Sequence, residues 1–212
     1  MRPLLRGYLH AGATVAAAIG GTYLFVLSSG DRPRQLSLLV YGAGLTLLFA
    51  VSAAYHLRAW PARSTILRRL DHASIFVLIA ATYTPIAFNL LSGWWRAGIL
   101  GTVWGAALAG AGAAVAGVRL RRRTRSGLYV GMGWIALAAL GQVAAALPWS
   151  AIGLLLAGGV LYSGGAVLYA RRWPDLWPRV FGYHEVFHLL TIAAATAFYL
   201  FVLVYVLPAS RP

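Results

Sequence analysis

Long apolar runs alternate along the chain with short, arginine-rich polar stretches, and the apolar runs set the architecture. A helical run of about 20 residues matches the thickness of a bilayer's hydrocarbon core. Seven such runs occur, at 8–28, 36–57, 72–91, 97–118, 128–147, 151–170 and 186–207. The pattern predicts an all-α integral membrane protein, a seven-transmembrane helix bundle. Connections are short, the tightest being Pro148-Trp149-Ser150, which leaves no material for a soluble unit. Residues 1–212 therefore read as a single seven-helix transmembrane domain. The basic opening Met1-Arg2-Pro3-Leu4-Leu5-Arg6 has the look of a secretory signal. The run behind it exceeds the ~7–15 residues of a signal core, so it is read as a retained first span.

Composition agrees with this class, with 60% hydrophobic and 10% charged residues. Charge adds direction. The 18 basic residues are all arginine, opposed by Asp31, Asp71, Asp175 and Glu185, for a net charge of +14. In a soluble chain that excess would suggest nucleic acid; between apolar runs it orients helices and meets anionic lipid instead. No nucleic-acid partner is expected. Counted on alternate sides of seven spans, 14 arginines share the side of the N-terminus, and four (Arg32, Arg34, Arg96, Arg211) lie opposite. The bias predicts a cytoplasmic N-terminus and an outside C-terminus in a multi-pass protein of the plasma membrane. Trp60, Trp173 and Trp177 then fall at the inner interface and Trp94, Trp95 and Trp149 at the outer one, as aromatic belts. The glycines at 101, 105, 110, 112, 158, 159, 164 and 165 suit close helix packing in lipid.

The polar residues that interrupt the runs carry the chemistry. His184 and His188 are four apart at the mouth of the last run, which places both imidazoles on one helical face, one turn apart. His56 ends the second run and Asp71 opens the third. With seven spans all four groups lie at one depth, in the cytoplasmic leaflet. Ser52 stands one turn deeper than His56 on the same face. The chain has no cysteine, so a metal would be held by nitrogen and oxygen. Three neutral imidazoles with one open position have the form of a catalytic zinc site, with Asp71 placed to take the proton of a zinc-bound water.

Each residue also has a plainer reading. Asp71 could be a helix N-cap paired with Arg68 or Arg69, and His184 with His188 an interfacial pair at a helix entrance. Glu185 completes a His-Glu-x-x-His string, the pattern of zinc metalloproteases, but is equally explained by the helix dipole. His72 reads as a neighbour of the site or an interfacial group, and His10 as interfacial. Thr82-Tyr83-Thr84-Pro85 marks a kink whose hydroxyls satisfy the freed carbonyl, with Tyr83 a candidate to face the cavity.

Three segments together resemble the hemolysin III branch of the progestin and adipoQ receptor family: Ser52-Ala53-Ala54-Tyr55-His56; Arg68-Arg69-Leu70-Asp71-His72-Ala73-Ser74-Ile75 continuing to Ala81-Thr82-Tyr83-Thr84-Pro85; and Gly182-Tyr183-His184-Glu185-Val186-Phe187-His188. They occur in order, and the similarity covers nearly the whole chain. The resemblance implies seven helices and a cytoplasm-side zinc held by His56, His184 and His188, with the family's serine and aspartate falling on Ser52 and Asp71. It also implies kinship with alkaline ceramidases, hence hydrolysis of a lipid amide or ester bond, ceramide-like substrates included. The hemolysin label of bacterial members implies membrane permeabilisation instead, and a third class is a sensor that docks partners on the 119–125 arginine cluster; protein partners are unknown. An intramembrane protease fits least, because no Asp, Glu or His follows His188 to supply its third ligand.

Overall fold

The computed structural model describes residues 5, 7–57, 61–177 and 180–211, the side chains of 61–64 excepted. Arg2, Arg6, Arg58, Trp60 and Arg179, to which the sequence assigns inner-face positions, lie outside the described residues, as does the Arg63 side chain. Among the described residues every regular element is a helix, and seven helices are long and apolar enough to cross a membrane. They are α1 (Tyr8–Leu27), α2 (Arg32–Leu57), α3 (Pro61–Leu90) and α4 (Gly93–Ala116), then a broken fifth span, and α7 (Trp149–Arg171) and α8 (Tyr183–Phe201). The fifth span runs as α5 (Arg122–Gly133), a 3-10 stretch (Trp134–Ala139) and α6 (Leu140–Ala146). A π-helical turn, Val202–Val206, finishes the last span.

Sequence neighbours pack as antiparallel pairs, which short connections dictate. Between α1 and α2 the backbones almost touch: a Cβ on Gly42 would come within 2.8 Å of the Gly21 Cα. Only glycine permits this approach, a common device where helices gain no hydrophobic drive from leaving lipid. The core around α2 is filled by Leu38, Tyr41, Leu45, Leu48 and Phe49 against Leu24, Phe201 and Val202, all buried. Ile19, Leu108 and Val160 are at least 60% exposed, as side chains that face acyl chains should be.

Two helix starts differ from the sequence reading for the same reason. α3 begins at Pro61 rather than near His72, and α2 at Arg32 rather than Leu36. Arginine is a good helix former, so both helices continue past their apolar runs. Asp71 consequently sits inside α3 and is not its N-cap. Arg69 is occupied elsewhere, donating to the Val115 carbonyl at 3.1 Å. Pro85 does lie within α3, but the Thr82 and Thr84 hydroxyls donate to the carbonyls of Leu78 and Ala80. The carbonyl that Pro85 cannot serve is that of Ala81, so the expected rescue by hydroxyls is not what these threonines do.

Far from the histidines, a polar clasp ties the bundle's ends. The Arg34 guanidinium donates to the carbonyls of Leu207 and Ala209, just past the π-helical turn. Its Nε also reaches Asn89 at 3.4 Å. Asp31 accepts from the Arg34 backbone N–H at 3.2 Å and from Arg211 at 3.0 Å. The Arg34 N–H and the Arg211 charge hold the Asp31 carboxyl below the usual carboxylate range.

Candidate metal centre

Helix geometry brings the three predicted imidazoles together. His56 is in the last turn of α2, while His184 and His188 occupy successive turns of α8 just after its start at Tyr183. The start of α8 is fixed by Glu185, fully buried, whose carboxylate accepts the Gly182 N–H at 2.9 Å. This is the N-terminal capping role rather than that of a protease base. His184 Nε2 and His56 Nε2 are 3.2 Å apart, and one nitrogen from each of His56, His184 and His188 lies within 4.8 Å of the others. Two Zn–N bonds of ~2.0–2.1 Å at a tetrahedral angle separate their nitrogens by roughly 3.3 Å. The first pair already has that spacing, and the His188 nitrogen lies within 4.8 Å of both. The donor set fits zinc: three neutral nitrogen ligands with a fourth direction left to the cavity.

That cavity, about 70 Å³, is lined by the three histidines together with Ser52, Asp71, His72, Arg125, Tyr129 and Tyr169. Ser52 is buried, with its hydroxyl beside the Asp71 carboxylate. A hydrogen bond from it to the charged acceptor would fix which way the carboxylate points. The Tyr129 hydroxyl donates to the His72 carbonyl at 2.9 Å, which binds α5 to α3 beside the site. Tyr169 stands edge-on to His184, with ring centroids 5.4 Å apart, and the Arg122 guanidinium lies over its ring at 4.9 Å. All five residues singled out from the sequence, His56, His184, His188, Asp71 and Ser52, thus share one cavity.

Sequence reasoning misplaced one residue and missed others. His10, expected at the membrane interface, is 3% exposed and stacks on His188 with centroids 3.7 Å apart and an interplanar angle of 13°. The signal was available, since an ionisable side chain inside a predicted span points to function by default. Arg125, Tyr129 and Tyr169 gave no such signal, because nothing in the apolar pattern of α5 and α7 says which face turns inward.

A second, larger cavity of about 190 Å³ adjoins the first and shares Leu48, Ile75, Tyr129, Ala166, Phe187 and Thr191 with it. Its walls are almost wholly apolar, running from Phe187 past Ile79 and Leu140 to Leu91 and Ile99. Tyr83, a candidate to face the site cavity, lines this second cavity instead. The Tyr83 hydroxyl accepts the Ala136 N–H at 2.7 Å and donates to the Gly133 carbonyl at 2.6 Å. It therefore takes up two backbone groups at the break in the fifth span.

Comparison with known proteins gives a consistent set of relatives. Residues 1–199 match the family model described as haemolysin-III related. The Hemolysin-3 of Bacillus cereus is 31% identical over 179 residues, covering 84% of this chain and 79% of that protein. The Hemolysin-3 homolog of Bacillus subtilis is 29% identical, with 86% and 83% covered. The heptahelical transmembrane protein ADIPOR2 of Oryza sativa subsp. japonica is 31% identical, with 76% and 78% covered.

Proposed function

Because the chain belongs to the haemolysin-III-related family, we propose that it is a zinc-dependent hydrolase that cleaves an amide or ester bond in a lipid of ceramide-like plan. The observation that carries this reading is the contiguity of three kinds of site: a three-imidazole cluster, an aspartate–serine pair and an apolar cavity. His56, His184 and His188 would hold the metal. Bound there, zinc supplies a Lewis acid for a carbonyl oxygen and lowers the pKa of a water to about 7.

The remaining steps belong to the protein. Asp71 accepts the proton released when water adds to the carbonyl and returns it to the leaving nitrogen or oxygen. Ser52 holds the Asp71 carboxylate in line for both transfers. The apolar cavity receives the acyl chain, and the cluster of Arg125, Tyr129 and Tyr169 meets the polar part of the substrate. Those apolar walls favour an acyl chain over the ion path that a lytic pore requires.

In this reading the histidine end faces the cytoplasm of a cell whose plasma membrane the bundle spans, following the arginine asymmetry. Arginines at that end meet anionic lipid headgroups. Reporter fusions at Met1 and Pro212 are expected on opposite sides, with Met1 inside; the same side for both would exclude the assignment.

The decisive experiment combines elemental analysis of the purified protein with single-turnover assays on ceramides and other acyl-amide and acyl-ester lipids. The expected result is about one zinc per chain and cleavage that a chelator abolishes. A metal-free protein, or a zinc-loaded one that cleaves no member of the panel, would overturn the reading.

A further inference from the structure

His10 enters none of the steps above. It is one of five imidazoles that line the cavity, carried by α1, and it is 3% exposed. Its ring lies nearly parallel to His188 at a centroid distance of 3.7 Å and edge-on to Phe49 at 5.0 Å. These ring contacts would serve a phenylalanine equally well. What phenylalanine lacks is the two ring nitrogens, and at His10 neither has a hydrogen-bond partner among the described residues. The His188 backbone lies beside the ring, but without hydrogen-bond geometry. A buried polar atom left unpartnered is destabilising. Its retention in a cavity wall points to a partner that arrives with the cavity's occupant.

Geometry narrows what that partner is. A metal ligated by His188 lies in the plane of the His188 ring. A ring stacked on it is displaced by a van der Waals contact, roughly 3.5 Å. His10 nitrogens therefore stand too far from such a metal for a Zn–N bond of ~2.0–2.1 Å. An oxygen carried out of that plane towards α1 would come into hydrogen-bond range of them, ~2.7–3.2 Å.

We propose that His10 is a ligand-recognition residue, whose ring N–H donates to an oxygen of the molecule bound at the metal, of the class of amide, ester or carboxylate oxygens. The proposal rests on the three-histidine metal site and adds a residue to it that binds ligand rather than metal. A histidine at this place also separates two tasks: the ring face steadies His188, and the ring edge reads the ligand.

The test uses the whole protein in micelles, loaded with Co²⁺ as a spectroscopic substitute for zinc and titrated with acetohydroxamic acid, a small bidentate oxygen ligand. His10→Phe keeps the stacked ring and removes both nitrogens; His10→Gln restores a side-chain N–H. The expected result is that wild type and both variants take up cobalt with equal affinity. The hydroxamate dissociation constant, read from the visible absorption band, rises about tenfold in His10→Phe, the loss of one buried hydrogen bond, and recovers in His10→Gln. If His10→Phe fails to fold, His10→Leu replaces it in the same comparison. Unchanged hydroxamate affinity in the apolar variant would reduce His10 to packing and overturn the proposal. Loss of cobalt affinity in both variants would overturn it too, by making His10 a support for the metal. A wild type that binds no cobalt would refute the metal site itself, a failure distinguishable from the other two.

Discussion

Asp71→Asn is the substitution that best separates chemistry from architecture in this protein. Asparagine keeps the size of the side chain and an oxygen for the Ser52 hydroxyl to donate to. It cannot accept a proton. Because α3 begins at Pro61, ten residues earlier, Asp71 holds no capping position for asparagine to preserve or lose. The fold and the three-imidazole cluster should survive. The rate of lipid cleavage should fall by ~10²–10⁴, the usual contribution of a general base, or about 3–5 kcal/mol in the barrier. Ser52→Ala removes the hydroxyl that would aim the carboxylate by a hydrogen bond, which for a charged acceptor is worth ~1.5–3 kcal/mol. Roughly a tenfold to hundredfold loss is expected. If Ser52 acts only through Asp71, the double variant should be scarcely slower than Asp71→Asn alone, a coupling that only interacting residues show. The assay is single-turnover cleavage of acyl-amide lipids at fixed zinc loading, with metal content measured in every variant. Equal activity of wild type and Asp71→Asn at equal zinc would refute the base. Fully additive losses would refute the view that Ser52 works by orienting it.

Three further outcomes follow from residues already described. His56→Ala and His188→Ala should each lose zinc on elemental analysis, because two imidazoles leave the set of His56, His184 and His188 short of the three ligands a catalytic zinc needs; full metal in both would remove the assignment. Tyr83→Phe strips partners from the Ala136 N–H and the Gly133 carbonyl, and at ~1–3 kcal/mol for each buried group it should lower the thermal midpoint of the purified bundle by several degrees; an unchanged midpoint would mean that the break in the fifth span stands without it. Asp31 has a depressed carboxyl pKa, so its contribution is present above the ordinary value of about 3.9 and is lost as pH falls through the lower, folded value. Asp31→Asn should therefore flatten the acid limb of a stability–pH curve, and an identical limb in the variant would show that the clasp draws nothing from that charge.

The seven spans were legible because lipid allows few alternatives: backbone groups must pair internally, and a helix must be as long as the hydrocarbon is thick. The grouping of these side chains was legible because His184 and His188 are related by one helical turn, and because span counting placed His56 and Asp71 at the same end. The errors came where neither rule operates. The segment 61–70 is too polar to read as membrane, yet α3 passes through it, since propensity and not hydropathy decides a helix once it leaves lipid. The 3-10 stretch of the fifth span, Trp134–Ala139, contains neither proline nor glycine. A hydroxyl more than 50 residues away, on Tyr83, occupies the Ala136 N–H there, and a long-range contact of that kind leaves no local trace. His10 was misjudged because nearness to the start of an apolar run says nothing about which way a side chain turns.

Under the proposed function, the two adjoining cavities would sort molecules before any bond is broken. One is small and carries the histidines, Asp71 and Ser52 in its wall, the other is larger and almost wholly apolar, so a guest suited to both is an amphiphile with its head at the histidines. Alkyl detergents satisfy that description as well as lipids do. A micelle chosen to extract this protein is thus also a reservoir of competitor at millimolar concentration, held against the same walls. Inhibition by detergent would follow chain length and linearity rather than headgroup charge, and the same preparation moved into a lipid nanodisc should recover turnover with no change in its sequence.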